Sequence, residues 1–393
     1  MAPSPERQPA AALRAGGRSD LQRRRCSLGP IGAFDLGTGE WLADPELGND
    51  EAGLHGRFIA ALDQLRDRLG PDASAAQGIA AFLATSGLTG ADLRRAGQAL
   101  RAAVEADGAT AAEDQSLEWL WTQVEYDDGY FGDLPVGGYR GVVEAMAGGL
   151  DVRLDWPVAT VAQSDGGVRV TAVDGRTETG SHVVVAVPLG VLKSGRLTFD
   201  PPLTDARAAL ISKLGFGHYK KIILKFATPF WRELGRSHLV LFPAEADQPA
   251  RWVFDLDAFD SGPALACHVF HSTAVQLADT APDVAAQWLM TQLSAAYGMP
   301  CPDPVAVVVT DWPSDPFSGG AYCHVTPGSS NADLDELGEP MGERVLFAGE
   351  HTQGARAGYA DGAMNSGVRE AKRLLRSATV RLGRIEARTP GAS

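Results

Sequence analysis

The sequence predicts a mixed α/β fold of two domains, on the basis of three observations. The chain has 393 residues, of which 45% are hydrophobic and 21% are charged, and this is enough to bury two ordinary cores. Apolar residues recur at helical spacing between residues 54 and 120. After the glycine pair Gly137 and Gly138, the pattern changes to short apolar runs that are typical of strands.

The helical region contains two apolar stripes. The first is followed by Pro71, which ends a helix because proline lacks a backbone donor. The first stripe comprises Phe58, Leu62, Leu65 and Leu69, and the second comprises Leu93, Leu100 and Val104, ahead of Trp119 and Trp121. We interpret this region as a helical insertion.

The strand-like region predicts sheets followed by a last helix. The apolar runs are Val168–Val173, Val183–Val187, Ile222–Phe226, Val305–Thr310 and Val345–Ala348. The last helix is expected to begin near Gly362, because Met364, Val368, Ala371 and Leu375 have the spacing of one buried face.

The composition excludes some partners. A formal net charge of −14 argues against nucleic acid, which needs clustered Lys and Arg, and favours cationic small molecules such as amines. No run of about 18 apolar residues is present to span a bilayer, so we expect no membrane partner.

The first thirty residues and the cysteines indicate the compartment. Residues 1–30 carry six arginines and few large apolar side chains, so we expect a largely disordered arm without the apolar core of a signal peptide. The four cysteines, Cys26, Cys267, Cys301 and Cys323, form no Cys-x-x-Cys pair, which argues against a disulfide framework. We therefore expect a cytoplasmic protein.

The most specific motif is residues 345–371, VLFAGEHTQGARAGYADGAMNSGVREA. A short strand runs through AGE and a glycine-rich loop into a helix, and the N–H groups at the helix start favour negative charge in the loop. The segment resembles the C-terminal flavin-binding signature of the flavin amine oxidase family, which includes monoamine and polyamine oxidases. The resemblance implies that Gly349 and Glu350 contact the ribityl and pyrophosphate part of FAD. It also implies that the helix start at Tyr359, Ala360 and Gly362 faces the flavin ring.

A second match to this family spans Val183–Trp231. Its pieces are VVVAVPLGVLK, which contains Pro188, then FDPPL and LGFGHYKKIILKFATPFW. In the family, a lysine after the glycine-rich turn holds a water at flavin N5, and the resemblance selects Lys221. Strand alternation places Lys220 and Lys221 on opposite faces, and we expect Lys221 to be the one that points inward.

A third match is Val309–Tyr322, VTDWPSDPFSGGAY. The resemblance implies that Tyr322 and Tyr359 form the two walls of an aromatic cage for the substrate amine, and that Trp312 packs against the flavin. Parallel aromatic faces attract a cationic amine. Ala321 stands where monoamine oxidases carry the cysteine that is linked covalently to the flavin, so non-covalent FAD is expected.

Weaker matches extend the predicted cofactor site. The helix and strand at 138–161 resemble the segment whose backbone meets the adenine, near Val158. Gly16-Gly17-Arg18-Ser19 resembles the turn whose arginine contacts the FAD phosphates, and Phe34–Gly37 resembles the strand that follows it.

The family's opening unit of strand, GxGxxG turn, helix and strand is missing, since no GxGxxG occurs in the chain. We therefore expect an incomplete Rossmann-like FAD-binding domain with an exposed sheet edge, and poor FAD binding. A misplaced start codon, a truncated gene and a remnant without flavin would all give this sequence.

The resemblance implies a two-domain FAD-linked amine oxidase fold. We expect a disordered arm (1–15), FAD-binding segments (16–48, 134–198 and 331–376), a substrate domain whose helical part is 49–133 and whose remainder is 199–330, and a tail (377–393). The implied reaction oxidises the C–N bond of a primary amine, a polyamine or an amino acid to an imine, while dioxygen is reduced to hydrogen peroxide.

Other classes of function are weaker alternatives. A metal site could use Cys267, His268 and His271, but two histidines three residues apart on a strand point to opposite faces. A serine hydrolase would need G-x-S-x-G, which is absent. The serious alternative is a binding module of the same fold that does not hold FAD.

Overall fold

The computed structural model describes residues 31–42, 53–122, 138–259 and 261–386, and only the backbone of residues 377–386. The helices of these ranges are α1 (Leu54–Leu69), α2 (Ala75–Leu83), α3 (Gly90–Gly108), α4 (Arg140–Ala147), α5 (Leu189–Lys193), α6 (Asp205–Lys213), α7 (His271–Gln276), α8 (Pro282–Tyr297), α9 (Asn331–Leu337) and α10 (Ala360–Glu386). The strands are β1 (Ile31–Asp35), β2 (Glu40–Trp41), β3 (Val158–Ser164), β4 (Gly167–Ala172), β5 (Thr177–Gly180), β6 (Val183–Val185), β7 (Thr198–Asp200), β8 (Gly215–Phe216), β9 (Lys220–Lys225), β10 (His238–Phe242), β11 (Arg251–Asp255), β12 (Ala264–Val269), β13 (Ala306–Val309), β14 (Cys323–His324) and β15 (Val345–Phe347).

The chain divides into two compact units. One comprises Met1–Ser27 and Glu125–Trp156, and the other comprises Leu28–Val124 and Pro157–Ser393. The described part of the first unit contains α4, none of whose residues is buried. All other described elements, including those that build the candidate active site, belong to the second unit. None of the helices in the described ranges is long and apolar enough to cross a membrane.

Seven of the described strands form one sheet, in the order β13-β9-β12-β11-β10-β1-β2. The pair β1–β10 is parallel, and the other pairs are antiparallel. Alternation gives this sheet two faces. The first face, represented by Ile222, Leu224, Val253 and Cys267, is buried against α8.

The second face carries different side chains. Register aligns Lys221 on β9 with His268 on β12, Trp252 on β11 and Val240 on β10. Helix α3 covers one end of this face, where its alanines pack with Val240 and Trp252. Lys221, at the other end, is exposed.

The helices α1–α3 pack around a core of their own. Phe58, Leu62, Leu100 and Val104 are all buried in it. Helix α1 ends at Leu69, just before Pro71, as the sequence predicts. Helix α2 begins at a capping box, in which the Ser74 side chain accepts from a backbone N–H three residues on and its own N–H is satisfied in return.

A further core joins the parallel pair β6–β15 to the four-stranded sheet β5-β4-β3-β7. Strand β15 pairs with β6 alone among the described strands, and two of its carbonyls accept hydrogen bonds from other groups. The Arg369 guanidinium donates to Phe347 O at 2.8 Å, and Met341 N donates to Val345 O at 2.8 Å. These donors satisfy carbonyls that a neighbouring strand would otherwise meet.

The apolar runs predicted as strands correspond to β4, β6, β9, β13 and β15, with boundaries that agree to within two residues. The last helix, α10, begins at Ala360 rather than Gly362. A difference of this size is ordinary at helix ends.

Candidate active site

Three glycines allow three chain segments to meet in one place, which we call the glycine junction: Gly190 in α5, Gly217 after β8, and Gly320. A Cβ at any of the three would overlap neighbouring atoms. The overlaps would be with the backbone of Ser318 and Gly319, the backbone of Ala109 and the ring of Phe216, respectively. The glycines in LGFG and SGGAY are therefore required by close approach of the backbone.

Tyr322 is held directly beside this junction. Gly217 N donates to Tyr322 O, and Ala321 N donates to Gly217 O, both at 2.8 Å. The Tyr322 hydroxyl donates to Ala106 O near the C-terminal end of α3. Both the backbone and the ring of Tyr322 are thus fixed, the latter by the helical part of the structure.

The two lysines of β9 lie on opposite faces, as alternation predicts, but the buried one is Lys220. It is 3% exposed, and its amine lies 3.3 Å from a carboxylate oxygen of Asp311. The expectation that Lys221 points inward is therefore wrong as a statement about the sheet's core. Lys221 instead points to the second face. Partial burial of its amine there lowers the pKa of the amine.

Aromatic and imidazole side chains connect Lys221 with Tyr322 across the second face. His268 is the register partner of Lys221, and its Nδ1 shares a hydrogen bond with the Tyr219 hydroxyl. The Tyr219 ring centroid lies 6.1 Å from that of Tyr322. Burial, together with the nearby Lys221 charge, lowers the pKa of His268 to about 3, so this imidazole is neutral at physiological pH.

Trp312 follows the strand that pairs with Lys221. Lys221 N donates to the Thr310 hydroxyl at 2.8 Å, and Thr310 N donates back to Lys221 O at 3.0 Å. Two residues later, Trp312 accepts from Gly320 N through its carbonyl, while its side chain is 48% exposed. Pro188 caps α5, whose Gly190 belongs to the same junction. The predicted residues Pro188, Trp312 and Tyr322 are therefore neighbours through the backbone.

The C-terminal motif contributes Gly349 and Glu350 after β15. Gly349 N donates to the Ser366 hydroxyl at 2.8 Å, which ties this loop to α10. The Glu350 carboxylate accepts from Cys323 N at 3.2 Å, from Cys323 Sγ at 2.8 Å and from Gly358 N at 2.7 Å. Burial raises the pKa of Glu350.

Tyr359 lies between Gly358 and the start of α10. Its side chain is 42% exposed, and the Arg356 guanidinium lies 4.1 Å from the ring centroid. Arg356 in turn donates to Asp361 in the first turn of α10. A Cβ at Gly362 would overlap Arg356 O, so this glycine lets the helix start pack against the loop.

The predicted cofactor residue Val158 takes no part in the contacts described above. Val158 begins β3 and packs, partly buried, against the core that contains Cys323 and Phe347. Arg18 lies outside the described residues. The histidines considered for metal binding separate, since His268 bonds to Tyr219 while the His271 ring packs against His218. Over the described ranges, no three potential metal ligands converge.

Sequence reasoning missed several residues that the site uses. Tyr219 and His268 link Lys221 to Tyr322, and Cys323 and Gly358 are the partners of Glu350. Tyr219 could have been noticed, because it lies two residues before Lys221 in the motif. The other three are brought in by strand register and loop packing, which no local pattern reveals.

The sequence matches the family described as flavin containing amine oxidoreductases over residues 16–375. The chain belongs to this family.

Its Cys267, Cys301 and Cys323 are free thiols.

Relatives within the family have two kinds of name. The chain is 36% identical over 272 residues to lysine-specific histone demethylase 1 homolog 3 of Arabidopsis thaliana, covering 65% of the chain and 16% of the relative. It is 31% identical over 281 residues to polyamine oxidase 2 of the same plant, covering 71% and 56%. With probable polyamine oxidase 4 it shares 29% identity over 366 residues, covering 91% and 71%. The chain spans 16–33% of the length of three demethylase relatives from Arabidopsis thaliana and Oryza sativa.

The residues present fit the flavin end of FAD. The side chains of Trp312 and Tyr359 are partly exposed, with Arg356 lying over the Tyr359 ring, and α10 begins directly after Tyr359. A planar ring with a polar edge suits such a surface. Glu350 and Pro188 would hold the adjoining part of the cofactor. The sequence has no GxGxxG turn.

Proposed function

We propose that this protein oxidises the C–N bond of an amine to an imine, with non-covalent FAD as cofactor and dioxygen as electron acceptor. Bound FAD would supply the acceptor for the hydride from the carbon beside the nitrogen, and dioxygen would take up the electrons to give hydrogen peroxide. The family match supports the oxidoreductase class. The roles of individual residues are part of the proposal.

The observation that carries the proposal is a continuous set of contacts between the three matched segments. Lys221 is paired with His268, which bonds to Tyr219, and Tyr219 contacts Tyr322. On the other side, Glu350 bonds to the residues beside Tyr322 and Tyr359. Segments that are far apart in sequence thus contribute to one site.

Each residue has a distinct task in this proposal. Tyr322 and Tyr359 provide aromatic faces that attract and align the amine, by cation–π contact worth about 0.5–2 kcal/mol, and exclude water. Lys221 holds a water molecule at the reacting end of the site. Its lowered pKa makes proton release easier than from an ordinary lysine. His268 remains neutral and orients the Tyr219 hydroxyl.

The substrate is proposed only as an amine that is cationic in solution. The net charge of −14 favours the approach of such a molecule. Two of the relatives are named polyamine oxidases, and three are named lysine-specific histone demethylases. Polyamines and peptides that contain lysine or methyl-lysine are therefore the first substrates to try.

A second function is favoured by one observation, the absence of GxGxxG from the 393 residues. Without that turn, the cofactor's diphosphate lacks several backbone donors. Charge-assisted bonds of about 1.5–3 kcal/mol each, two or three in number, correspond to several powers of ten in affinity. The alternative is a binding module that takes an amine between the tyrosines but holds no FAD.

Two measurements distinguish these functions. The purified 393-residue chain is titrated with FAD, followed by flavin fluorescence and by the visible spectrum, and is then assayed for peroxide with polyamines and methyl-lysine peptides. FAD binding with amine-dependent peroxide supports the oxidase. Amine binding measured by calorimetry, without FAD binding at millimolar cofactor, supports the module. Binding of neither ligand contradicts both.

A further inference from the structure

The Glu350 carboxylate accepts three hydrogen bonds, two from Cys323 in β14 and one from Gly358, just before α10. Oε1 accepts from Cys323 N at 3.2 Å, while Oε2 accepts from Gly358 N at 2.7 Å and from the Cys323 thiol at 2.8 Å. The carboxylate therefore joins β14 to the segment before α10, and these two parts are far apart in sequence.

A tyrosine of the proposed amine site lies next to each of these two donors. Cys323 directly follows Tyr322, and Gly358 directly precedes Tyr359. Gly358 also faces the Tyr322 ring, because a Cβ built at Gly358 would be 3.7 Å from Tyr322 Cδ2. One side chain thus joins the backbone on either side of the proposed cage.

The surroundings favour a lasting bridge. The Glu350 side chain is 18% exposed, so water competes little for its oxygens. The neighbouring ring of His351 has a pKa lowered by burial to about 4 and is neutral at physiological pH. Burial and the Glu350 carboxylate raise the pKa of the Cys323 thiol, so the thiol keeps the proton that it donates.

We propose that Glu350 is a positioning residue that sets the relative placement of Tyr322 and Tyr359, and thereby the fit of the amine. The proposal rests on the proposed function for the role of the two tyrosines. It is compatible with a contact between Glu350 and the cofactor, because Oε1 has a second lone pair available.

The bridge requires a carboxylate rather than an amide. A glutamine at this position has one acceptor oxygen, and its NH₂ group would face one of the two backbone N–H donors. Glu350→Gln therefore keeps the size of the side chain but must leave Cys323 N or Gly358 N without an acceptor. The chain also offers a matched control. Asp335 Oδ1 accepts a hydrogen bond from Gly354 N at 2.9 Å. Gly354 lies in the same C-terminal loop as Gly358 but is not adjacent to either tyrosine.

The first experiment measures amide hydrogen exchange by NMR on the full chain without FAD. In the wild type, the amides of Cys323 and Gly358 should be protected. In Glu350→Gln, at least one of them should exchange about tenfold faster or more, while Ile222 in the sheet is unchanged. Asp335→Asn should affect Gly354 and leave Cys323 and Gly358 unchanged. Fast exchange at Cys323 and Gly358 in the folded wild type would overturn the bridge without the need for any variant.

The second experiment uses the FAD-loaded enzyme. With FAD saturating, so that any change in cofactor affinity does not enter the measurement, Glu350→Gln should raise KM for the amine about tenfold. In a Tyr359→Ala background, the same substitution should have little further effect on KM, because the placement it sets has been lost. A large loss of FAD affinity with an unchanged KM would overturn the positioning role. If the wild type shows no turnover, the proposed function fails while the exchange experiment still decides on the bridge.

Discussion

The two faces of the seven-stranded sheet are built from the same strands but differ in how far their side chains are shielded from solvent. On the first face, Ile222, Leu224 and Cys267 are fully buried against α8. On the second face, their immediate neighbours Lys221, Ile223 and His268 remain partly or largely accessible. A one-residue step along a strand therefore separates a core position from a position on the face that carries the proposed site. Substitutions on the first face should change stability, and those on the second should change ligand binding or turnover.

The largest expected effect is on stability. Leu224→Ala on the first face should lower the free energy of unfolding by about 2–5 kcal/mol, because it leaves a cavity in a closely packed core. Ile223→Ala on the second face is the matched control and should cost less than half as much, because its side chain is already partly accessible. Urea denaturation measures both. Equal losses would show that the two faces do not differ in packing.

The buried carboxylate of Glu105 on α3 lets the burial at the covered end of the second face be tested through the pH dependence of stability. The Glu105 side chain is 0% exposed and accepts from the Ser272 hydroxyl and backbone N–H. Burial raises its pKa from 4.5 to about 7. Because the folded-state pKa is the higher one, the folded protein binds the extra proton, and stability falls as pH rises from about 4.5 to 7.

Glu105→Gln should remove this pH dependence. Relative to the wild type, the variant should gain about 3 kcal/mol of stability between about pH 4.5 and pH 8. Thermal unfolding at the two pH values is the measurement, and Glu113→Gln, on a more accessible carboxylate that pairs with Arg101, is the control. A wild-type stability that does not fall over this range would contradict the raised pKa.

The adjacent lysines give the sharpest test of the two faces. Lys221→Met should slow turnover about a hundredfold while FAD affinity is retained, since the variant removes the group proposed to hold a water. Lys220→Met should leave the rate within about threefold and the stability within about 1 kcal/mol, because methionine fills the buried space and only the pair with Asp311 is lost. Stopped-flow kinetics and flavin titration measure the outcome. An unaffected rate in Lys221→Met would remove this lysine from the mechanism.

The smallest effect concerns the attachment of the cofactor. Ala321, beside Tyr322, has no nucleophile for a covalent link to flavin, so acid precipitation of the FAD-loaded protein should release all of the flavin into the supernatant. The flavin fluorescence of pellet and supernatant measures this. Flavin retained on the washed peptide would show an attachment elsewhere in the chain.

The sequence predicted elements well and contacts poorly. Apolar runs such as Val345–Ala348 become strands because burying their side chains stabilises them. The stripe that contains Leu62 becomes the buried face of α1 for the same reason. The choice between Lys220 and Lys221 could not be made from alternation, which separates the faces without saying which one α8 covers. The hydrogen bonds of Glu350 could not be predicted, because Cys323 and Gly358 become neighbours only when β14 packs against the segment before α10.

Register explains the remaining difference. His268 lies beside Lys221 because β12 pairs with β9 in one particular alignment, and that alignment is set by the whole sheet. The side-chain donor to β15 could not be foreseen for a related reason. A side chain from α10, Arg369, supplies a donor that a count of strands alone would not include.

The glycine junction has a consequence for how this gene tolerates mutation. All glycine codons begin with the same two nucleotides, and every coding change at either of them adds at least a Cβ. At Gly190, Gly217 and Gly320 that carbon would overlap backbone or ring atoms of another segment. In a saturation library scored by folded yield, these three codons should therefore tolerate only synonymous changes. Tyr322, where Tyr322→Phe removes one hydroxyl bond, should be more permissive than the glycines that surround it.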